Sequence, residues 1–171
     1  MNGDKTLVNE VASDAYDASE KPFDFIEEGT NTALICESDP ASQSKISEIL
    51  TQEGYHITKP DSSRDALKKM RFHVYQLIIL NEKFDTDNPD INSILDYLKG
   101  LSMSIRRNIF VVLISDRFRT TDNMMAFNRS VNIIVNPSNI DNFGAIVKRG
   151  VADNEAFYHV YKESLKKAGR G

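Results

Sequence analysis

Short apolar runs alternate with amphipathic stretches along residues 32–150. The five segments lie at residues 33–36, 56–58, 77–80, 109–114 and 133–135, and the second of them, His56-Ile57-Thr58, has only one apolar residue. The fourth run is wholly apolar and rich in β-branched residues, which is typical of a strand with both faces covered. Strands that alternate with helices build a parallel sheet through right-handed crossovers. The pattern therefore predicts a doubly wound five-stranded α/β fold.

Capping residues and helical spacing mark the connecting helices. Asp39 before Pro40 suits the N-terminus of a helix, and Gly54 suits its C-terminal end. Between them, apolar residues recur at helical spacing at positions 46, 49 and 50. Similar signals predict further helices after residue 62 or 63, over residues 91–100, around residues 124–127, and from residue 143 onwards.

The first 31 residues differ in character from the rest of the chain. Residues 1–22 are rich in Asp, Ser, Ala, Asn and Glu and carry few large apolar groups, which predicts a flexible tail. Phe23, Phe25 and Ile26 interrupt this tail, and we expect them to dock on the domain's own surface, with a partner as the alternative. The predicted organisation is an acidic tail (1–31), an α/β domain (32–150) and an additional amphipathic helix (151–171).

Composition and charge exclude several classes of function. The net charge of −4 is concentrated in the acidic tail, and the near-neutral remainder offers no basic footprint for nucleic acid. No run of eighteen apolar residues predicts a membrane span, and the polar start is unlike a secretory signal. The single Cys36 forms no internal disulfide, which suits a reducing cytoplasm. No Gly-rich phosphate loop follows a predicted strand, so we expect no nucleotide or flavin cofactor.

Polar side chains follow the predicted strands at positions 37–39, 81–82, 115–116 and 136. The carboxyl ends of parallel strands meet at one edge, where the working crevice of such sheets lies. Asn81 is the most informative of these residues, because it ends the apolar run 77–80 with a neutral amide. An amide is a poor nucleophile, unlike the carboxylate of an aspartate.

Over about residues 32–150 the chain resembles the receiver domains of response regulators. The resemblance is carried by the first strand and its acidic turn (33–40), the helix-ending glycine at 53–55, the helix start at 62–67, the strand ending at Asn81, and the turn Val135-Asn136-Pro137. It implies the flavodoxin-like receiver fold and a place in two-component phosphorelay signalling.

The resemblance also implies a degenerate phospho-acceptor site. In receivers, two acids after the first strand hold magnesium, and an aspartate at the end of the third strand accepts the phosphoryl group. At the matching positions this chain keeps Glu37 as the first acid, but has Ser38 for the second and Asn81 for the acceptor. The residue following Ser38, Asp39, is a possible substitute for the missing acid.

Further switch positions differ in the same way. Ser115 keeps the hydroxyl that binds the phosphoryl oxygen in receivers, whereas Asn136 replaces their lysine and Ile133 their reporting aromatic residue. Pro137 is kept, and its preceding peptide bond is cis in the family, which makes a cis Asn136–Pro137 bond an expectation here. Four altered positions together indicate a pseudo-receiver, a receiver fold used without aspartyl phosphorylation.

Magnesium prefers oxygen ligands, usually carboxylates. We therefore expect no metal, with Glu37, Asp39 and Glu82 as the weak candidates that remain. Glu82 is also a candidate substitute acceptor. Its side chain should however point to the side of the strand opposite Asn81, because successive strand residues alternate between faces.

A purely structural explanation also fits the edge residues. Asn81, Ser115 and Asn136 could bond each other and the loops, since strand ends need polar caps. Asp116 suits the cap of the helix after residues 120–122. By the same reasoning Cys36 is an inert core thiol, the histidines are surface or satisfied residues, and Met124 and Met125 serve helix packing.

The C-terminal segment carries an apolar helical stripe of Phe157, Val160, Tyr161, Leu165 and Ala168. Basic residues gather at its end, where cations suit the helix dipole. Two explanations stay open for this segment. It extends or folds back onto its own domain, or it offers the stripe to a partner or to a second copy in a homodimer.

Three functions are consistent with this pattern. The first is a non-enzymatic module that contacts a signalling or scaffold protein through the face of the fourth and fifth helices, the added helix, or both. The second is a metal-dependent receiver with rearranged acids, and the third is a small-ligand sensor at the amide-rich crevice. The four altered switch positions favour the first.

Overall fold

A computed structural model describes residues 7–11, 26 and 29–170. In this part of the chain, five strands form one parallel sheet in the order β2-β1-β3-β4-β5. They are β1 (Thr32–Cys36), β2 (His56–Thr58), β3 (Leu77–Asn81), β4 (Phe110–Ile114) and β5 (Ile133–Val135). The predicted doubly wound α/β fold is confirmed, and each strand lies within one residue of its apolar run.

The connecting helices are α1 (Pro40–Gln52), α2 (Ser63–Phe72), α3 (Ser93–Gly100), α4 (Met103–Arg106), α5 (Asn123–Arg129) and α6 (Phe143–Lys167), and a 3-10 helix (Pro137–Asn142) precedes α6. Asp39 and Ser62 cap α1 and α2 as predicted. Helix α3 begins two residues later than residue 91, because Asn92 caps it through the backbone N–H groups of Ile94 and Leu95. Helix α4 and the 3-10 helix were not predicted.

Two apolar layers cover the sheet. Helices α1 and α6 pack on one face, around residues such as Ile35, Ile79 and Phe143. Helices α2, α3 and α5 pack on the other face, around residues such as Leu80 and Leu113. The strand register brings the residues at the ends of β1, β3 and β4 to one carboxyl edge of the sheet.

Helix α6 runs without interruption for 25 residues. The fifth helix and the additional C-terminal helix of the sequence prediction are therefore one helix. Its buried residues, Phe143 and Val147, lie in its first turns, where they join the core beside the sheet. The second half continues past the sheet and is largely exposed.

Residues 7–11 correct the prediction of a flexible tail over residues 1–22. They are helical, and Val11 is only 3 % exposed because it packs into the core layer of α2 and α3. Arg71 on α2 donates a hydrogen bond to the Val11 carbonyl oxygen at 2.6 Å. Ile26 is half-buried, whereas Phe23 and Phe25 lie outside the described residues.

None of the helices that the structure describes combines the length and the apolar character that crossing a membrane requires.

Candidate functional site

The amide of Asn81 occupies the centre of the carboxyl edge and binds Glu37. Asn81 Nδ2 donates a hydrogen bond to Glu37 Oε2 at 2.9 Å. The other carboxylate oxygen of Glu37, Oε1, accepts from the backbone N–H of Asp39 at 2.9 Å. Glu37 is 3 % exposed, so these two donors satisfy a carboxylate that is almost removed from water.

The two residues after Glu37 are exposed and do not complete an acidic pocket. Ser38 is exposed at the end of β1. Asp39 Oδ2 accepts a hydrogen bond from Ser42 N at 2.8 Å, which makes Asp39 the N-cap of α1. Hydrogen bonds from Ser42 hold the pKa of this carboxyl below its usual value. The Asp39 carboxylate is thus committed to the start of a helix.

The donor set at this edge does not fit magnesium. A hard divalent cation needs several oxygen ligands, usually carboxylates, and here an amide N–H group points at the one buried acid that is available. Among the described residues, no group of three or more His, Cys, Asp or Glu side chains is placed to hold a metal. The Asn81 amide donates a hydrogen bond to Glu37 and so takes the place that a cation would have beside this carboxylate.

Ser115 is turned toward Glu82. Ser115 Oγ donates to Glu82 Oε1 at 2.7 Å, and both residues are buried. The Arg117 guanidinium also binds this carboxylate, with Nη2 at 2.8 Å from Oε2 and Nε at 3.1 Å from Oε1. The sequence grouped Ser115 with Asn81 as parts of one site, but the structure engages the two side chains with different acids.

The Glu82–Arg117 pair extends to the surface through Asp90. The Asp90 carboxylate accepts from Arg117 and from Arg129, the latter at 3.0 Å. Hydrogen bonds from Arg129 and then from Arg117 hold the pKa of Asp90 below its usual value. The network ties the loop after β4 to α5 and to the loop before α3. Sequence reasoning missed it, because these four charges are scattered over 48 positions.

Lys83 is a cation at the crevice that the sequence analysis also missed. Its backbone N–H donates to Asn81 Oδ1 at 3.0 Å, and its Nζ lies 2.6 Å from Asp116 Oδ2. The hydrogen bond from Lys83 lowers the pKa of Asp116. The proposal that Asp116 caps the following helix was wrong, because Asp122 caps α5 by accepting from Met125 N. The Lys83 ammonium is engaged in this solvent-exposed ion pair.

Asn136 stabilises the turns around it. Its Nδ2 donates to the Phe118 carbonyl oxygen at 2.9 Å, and its Oδ1 accepts from Ser138 N at 3.0 Å, which caps the 3-10 helix. The Asn136–Pro137 bond is trans, so the expected cis bond is not present. Within the described residues, Asn81, Ser115 and Asn136 bond to loops and acids and not to each other.

Two of the remaining sequence candidates lie inside the core. Ile133 packs with Phe110 in the layer of α1 and α6, away from the crevice. Cys36 is fully buried in β1, and burial raises the pKa of its thiol. A thiol that is protonated and shielded from solvent is neither a nucleophile nor a metal ligand.

A second surface lies between α5 and α6, at the edge of the sheet formed by β5. A groove of about 730 Å³ opens there, with Ile133 and Phe110 on its floor and Phe157 on its rim. Met124 and Phe127 on α5 are 78 % and 82 % exposed. The expectation that Met124 serves packing within its helix was therefore wrong, whereas Met125 packs against the core.

The C-terminal stripe divides into two sides. Tyr161 lies under the Arg107 guanidinium, 4.3 Å from its carbon to the ring centroid, and Leu165 is half-buried. Phe157 and Val160 are 78 % and 74 % exposed. Of the predicted interaction residues, Tyr161 thus contacts the domain itself. Phe157 and Val160 lie on an exposed surface.

Comparisons with known proteins identify the fold. No family model matches the chain, and no curated protein matches it in sequence. Solved structures do match. The receiver domain of a signal transduction histidine kinase from Syntrophus aciditrophicus is 21 % identical, with a TM-score of 0.55 over 72 % of this chain and 91 % of that one. A CheY-like receiver domain protein from Methanospirillum hungatei is 17 % identical, with a TM-score of 0.56 over 74 % and 98 %.

A third match has a magnesium ion coordinated in its active-site cleft. It is the receiver domain of a sensor histidine kinase from Pseudomonas aeruginosa, 16 % identical, with a TM-score of 0.55 over 72 % of this chain and 98 % of that one. At such identities these likenesses show the receiver fold.

Proposed function

We propose that this chain is a non-enzymatic signalling module that acts through protein–protein contact and does not depend on phosphorylation of an aspartate. The proposed role starts from the receiver fold of the domain. The observation that carries the proposal is the hydrogen bond from Asn81 Nδ2 to Glu37 Oε2, at 2.9 Å. It places an amide at the acceptor position and occupies the buried acid with that amide.

The other groups that a phosphoryl switch would need are engaged elsewhere. The Ser115 hydroxyl donates to Glu82, and the Asn136 amide donates to a loop carbonyl oxygen. The Lys83 ammonium, a candidate replacement for the missing lysine, is paired with Asp116. A metal-dependent receiver with rearranged acids is less well supported, because Asp39 caps α1 and Glu82 binds Arg117.

The surface between α5 and α6 supports a role in binding a signalling or scaffold protein. Met124 and Phe127 place two large apolar side chains in solvent on the short helix α5, beside the groove whose rim includes Phe157. Exposed apolar residues grouped around a groove are typical of interaction sites. A partner helix with apolar side chains on one face would fit such a groove.

Treatment with acetyl phosphate and magnesium, followed by intact-mass measurement, tests the proposal. We expect no phosphoryl adduct on the full chain. The triple variant Ser38→Asp, Asn81→Asp, Asn136→Lys serves as a matched control, since it restores the acids and the lysine at the edge. Stoichiometric, hydroxylamine-labile phosphorylation of the unmodified chain would overturn the proposal.

A further inference from the structure

An apolar surface lies at the amino edge of the sheet, at the opposite end of the strands from the candidate site. A pocket of about 90 Å³ opens there, lined by residues that include Val74, Leu101 and Ile105. Val74 and Ile105 are 45 % and 40 % exposed, and Met103, on the same short helix as Ile105, is 56 % exposed. Apolar side chains grouped around a pocket mark a contact site. We call the surface formed by these four residues the amino-edge surface.

The chain between Val11 and the first strand is attached beside this surface at both ends. The Val11 carbonyl oxygen accepts a hydrogen bond from Arg71, and Thr32 Oγ1 lies 2.9 Å from His73 Nε2. Arg71 and His73 both line the pocket. Residues 12–28, which we call the N-terminal segment, thus start and end near it. Attachment at both ends gives the segment a high effective concentration at this surface, which no separate molecule has.

The N-terminal segment holds apolar groups that suit the amino-edge surface. Phe23 and Phe25 are its two largest apolar side chains, and alternate residues point to the same side of an extended chain. Aromatic rings contribute strongly to a contact, because each buries a large apolar area. Ile26, the one residue of this segment that the structure describes, is half-buried, as expected of a segment that lies against the domain.

Charge also favours the N-terminal segment as the occupant. The segment holds six acids and one lysine. The two stretches that border the amino-edge surface, residues 68–76 and 96–109, hold six bases and one acid. The bases are Lys68, Lys69, Arg71, Lys99, Arg106 and Arg107, and the acid is Asp96.

The local partners of these bases leave positive charge at the amino edge. Lys69 and Lys99 form ion pairs within their own helices, at 2.8 Å and 3.8 Å. Arg106 and Arg107 instead donate to carbonyl and amide oxygens, which carry no formal charge. The part of α6 around the Arg107 contact, residues 158–164, holds one lysine and one acid and does not change this balance. Acids of the N-terminal segment beside α4 are therefore favourable.

We propose that the N-terminal segment crosses the amino edge of the sheet and covers the amino-edge surface. Phe23 and Phe25 pack on Val74 and Ile105, and the acids of the segment lie beside the bases of α2 and α4. The occupant is this chain's own segment and not a partner, because both ends of the segment are attached at this place. The contact goes beyond the proposed function and does not depend on it, since it uses the edge opposite Asn81.

Paramagnetic broadening in the full chain tests where the segment lies. A nitroxide label is attached at Met103→Cys, and the native thiol does not react because Cys36 is buried. We expect the amide NMR signals of residues 23–27 to lose most of their intensity. Ser138→Cys, which places the label at the carboxyl edge, is the matched control and should leave these signals strong. Unchanged signals with the label at residue 103 would overturn the proposal.

A mixed sample separates this contact from binding to a second copy. Unlabelled ¹⁵N chain is mixed with spin-labelled Met103→Cys chain that carries no ¹⁵N. We expect no broadening in the mixture, because each segment covers the surface of its own chain. Broadening in the mixture equal to that within one chain would assign the surface to a second copy and would contradict the proposal.

A double variant tests the two aromatic residues. Phe23→Ser combined with Phe25→Ser should restore the signals of residues 24–27 beside the label at Met103→Cys, and should shift the methyl signals of Val74 and Ile105. Phe127→Ser is the matched control, since it removes an exposed aromatic ring from α5, and it should do neither. Methyl signals that do not respond to the double variant would show that these rings lie elsewhere, and the proposal would fail.

Discussion

Asn81 Nδ2 lies 2.9 Å from Glu37 Oε2 and donates a hydrogen bond to it. The amide and the buried carboxylate form a neutral-to-anionic pair that needs no cation. An aspartate at position 81 would instead bring a second carboxylate to the same place, and like charges at this distance raise the free energy of the ionised pair. The amide of Asn81 avoids this repulsion.

Asn81→Asp alone should therefore not produce a phosphorylatable protein. We expect it to lower the free energy of unfolding at pH 7 by about 1–3 kcal/mol, because a buried hydrogen bond is replaced by repulsion. Urea unfolding measures this cost, and intact mass after acetyl phosphate treatment should show no adduct. An Asn81→Asp variant that is as stable as the native chain and accepts phosphate would contradict the geometry.

Glu82 should contribute more to stability than its surface neighbours do. Glu82→Ala removes the buried partner of Arg117 and Ser115, and we expect the free energy of unfolding to fall by about 2–3 kcal/mol. Ser115→Ala, which leaves the Arg117 pair intact, should cost about 1 kcal/mol. Urea unfolding of both single variants and of the double variant gives the coupling energy. Additive costs would show that the Ser115 hydrogen bond does not depend on Glu82.

The ion pairs of Asp90 should make the folding stability of the protein sensitive to acid. Hydrogen bonds from Arg129 and Arg117 lower its pKa in the folded state, so its contribution to stability is present above the ordinary aspartate pKa of about 3.9. That contribution is lost as the pH falls through the lowered folded-state pKa. Asp90→Asn should melt at a lower temperature than the native chain at pH 7, and the difference should vanish in strong acid. A difference independent of pH would exclude this ion pair as its cause.

The exposed face of α5 should be dispensable for folding. Phe127→Ser and Met124→Ser should change the free energy of unfolding by less than about 0.5 kcal/mol, because both side chains are already in solvent. Both should lose a partner that is captured from the native host by the unmodified chain. Val74→Ser, which alters an exposed apolar residue elsewhere, should retain that partner, and its loss would point to a non-specific effect.

The segment at residues 7–11 should stabilise the domain. Val11→Ala removes buried apolar atoms and should lower the free energy of unfolding by about 1–2 kcal/mol. The neighbouring Glu10→Ala should cost less than about 1 kcal/mol, since its ion pair with Arg64 is solvent-exposed. Urea unfolding distinguishes the two. Equal stability of Val11→Ala and the native chain would show that this segment does not dock in solution.

The regular elements could be predicted from the sequence because their signals are local. The run 77–80 is apolar at each position, and Asp39 with Pro40 marks the start of α1, so both elements can be identified without knowledge of the rest of the chain. The docking of Val11 could not be predicted, because it depends on a contact with Arg71 sixty residues away. The helical spacing of Leu7, Val8 and Val11 is the local signal of this helix, but it is a single short stretch in a segment that is otherwise polar and resembles a tail.

The sequence predicted where the candidate site lies, but not which of its side chains bind each other. The parallel register brings Glu37, Asn81 and Ser115 to one edge, as the strand pattern indicated. The pattern did not indicate which acid each side chain binds. The Glu82 side chain extends toward the neighbouring strand β4 and binds Ser115 and Arg117, which follow it. These contacts form only in the folded chain.

The length of α6 has a mechanical consequence. Its 25 residues extend about 37 Å at 1.5 Å per residue, from Phe143 beside the carboxyl edge to Lys167 beyond the opposite edge. The helix is held at its first turns, where Phe143 is fully buried and a Cβ on Gly144 would lie 2.9 Å from Ile49. A tilt of about 5° at Phe143 would move Lys167 by about 3 Å, and it would have to displace Tyr161 from Arg107, so the helix transmits a displacement only when that contact gives way. Spin-label distances between α1 and the end of α6 would detect such a displacement when a partner binds near Asn136.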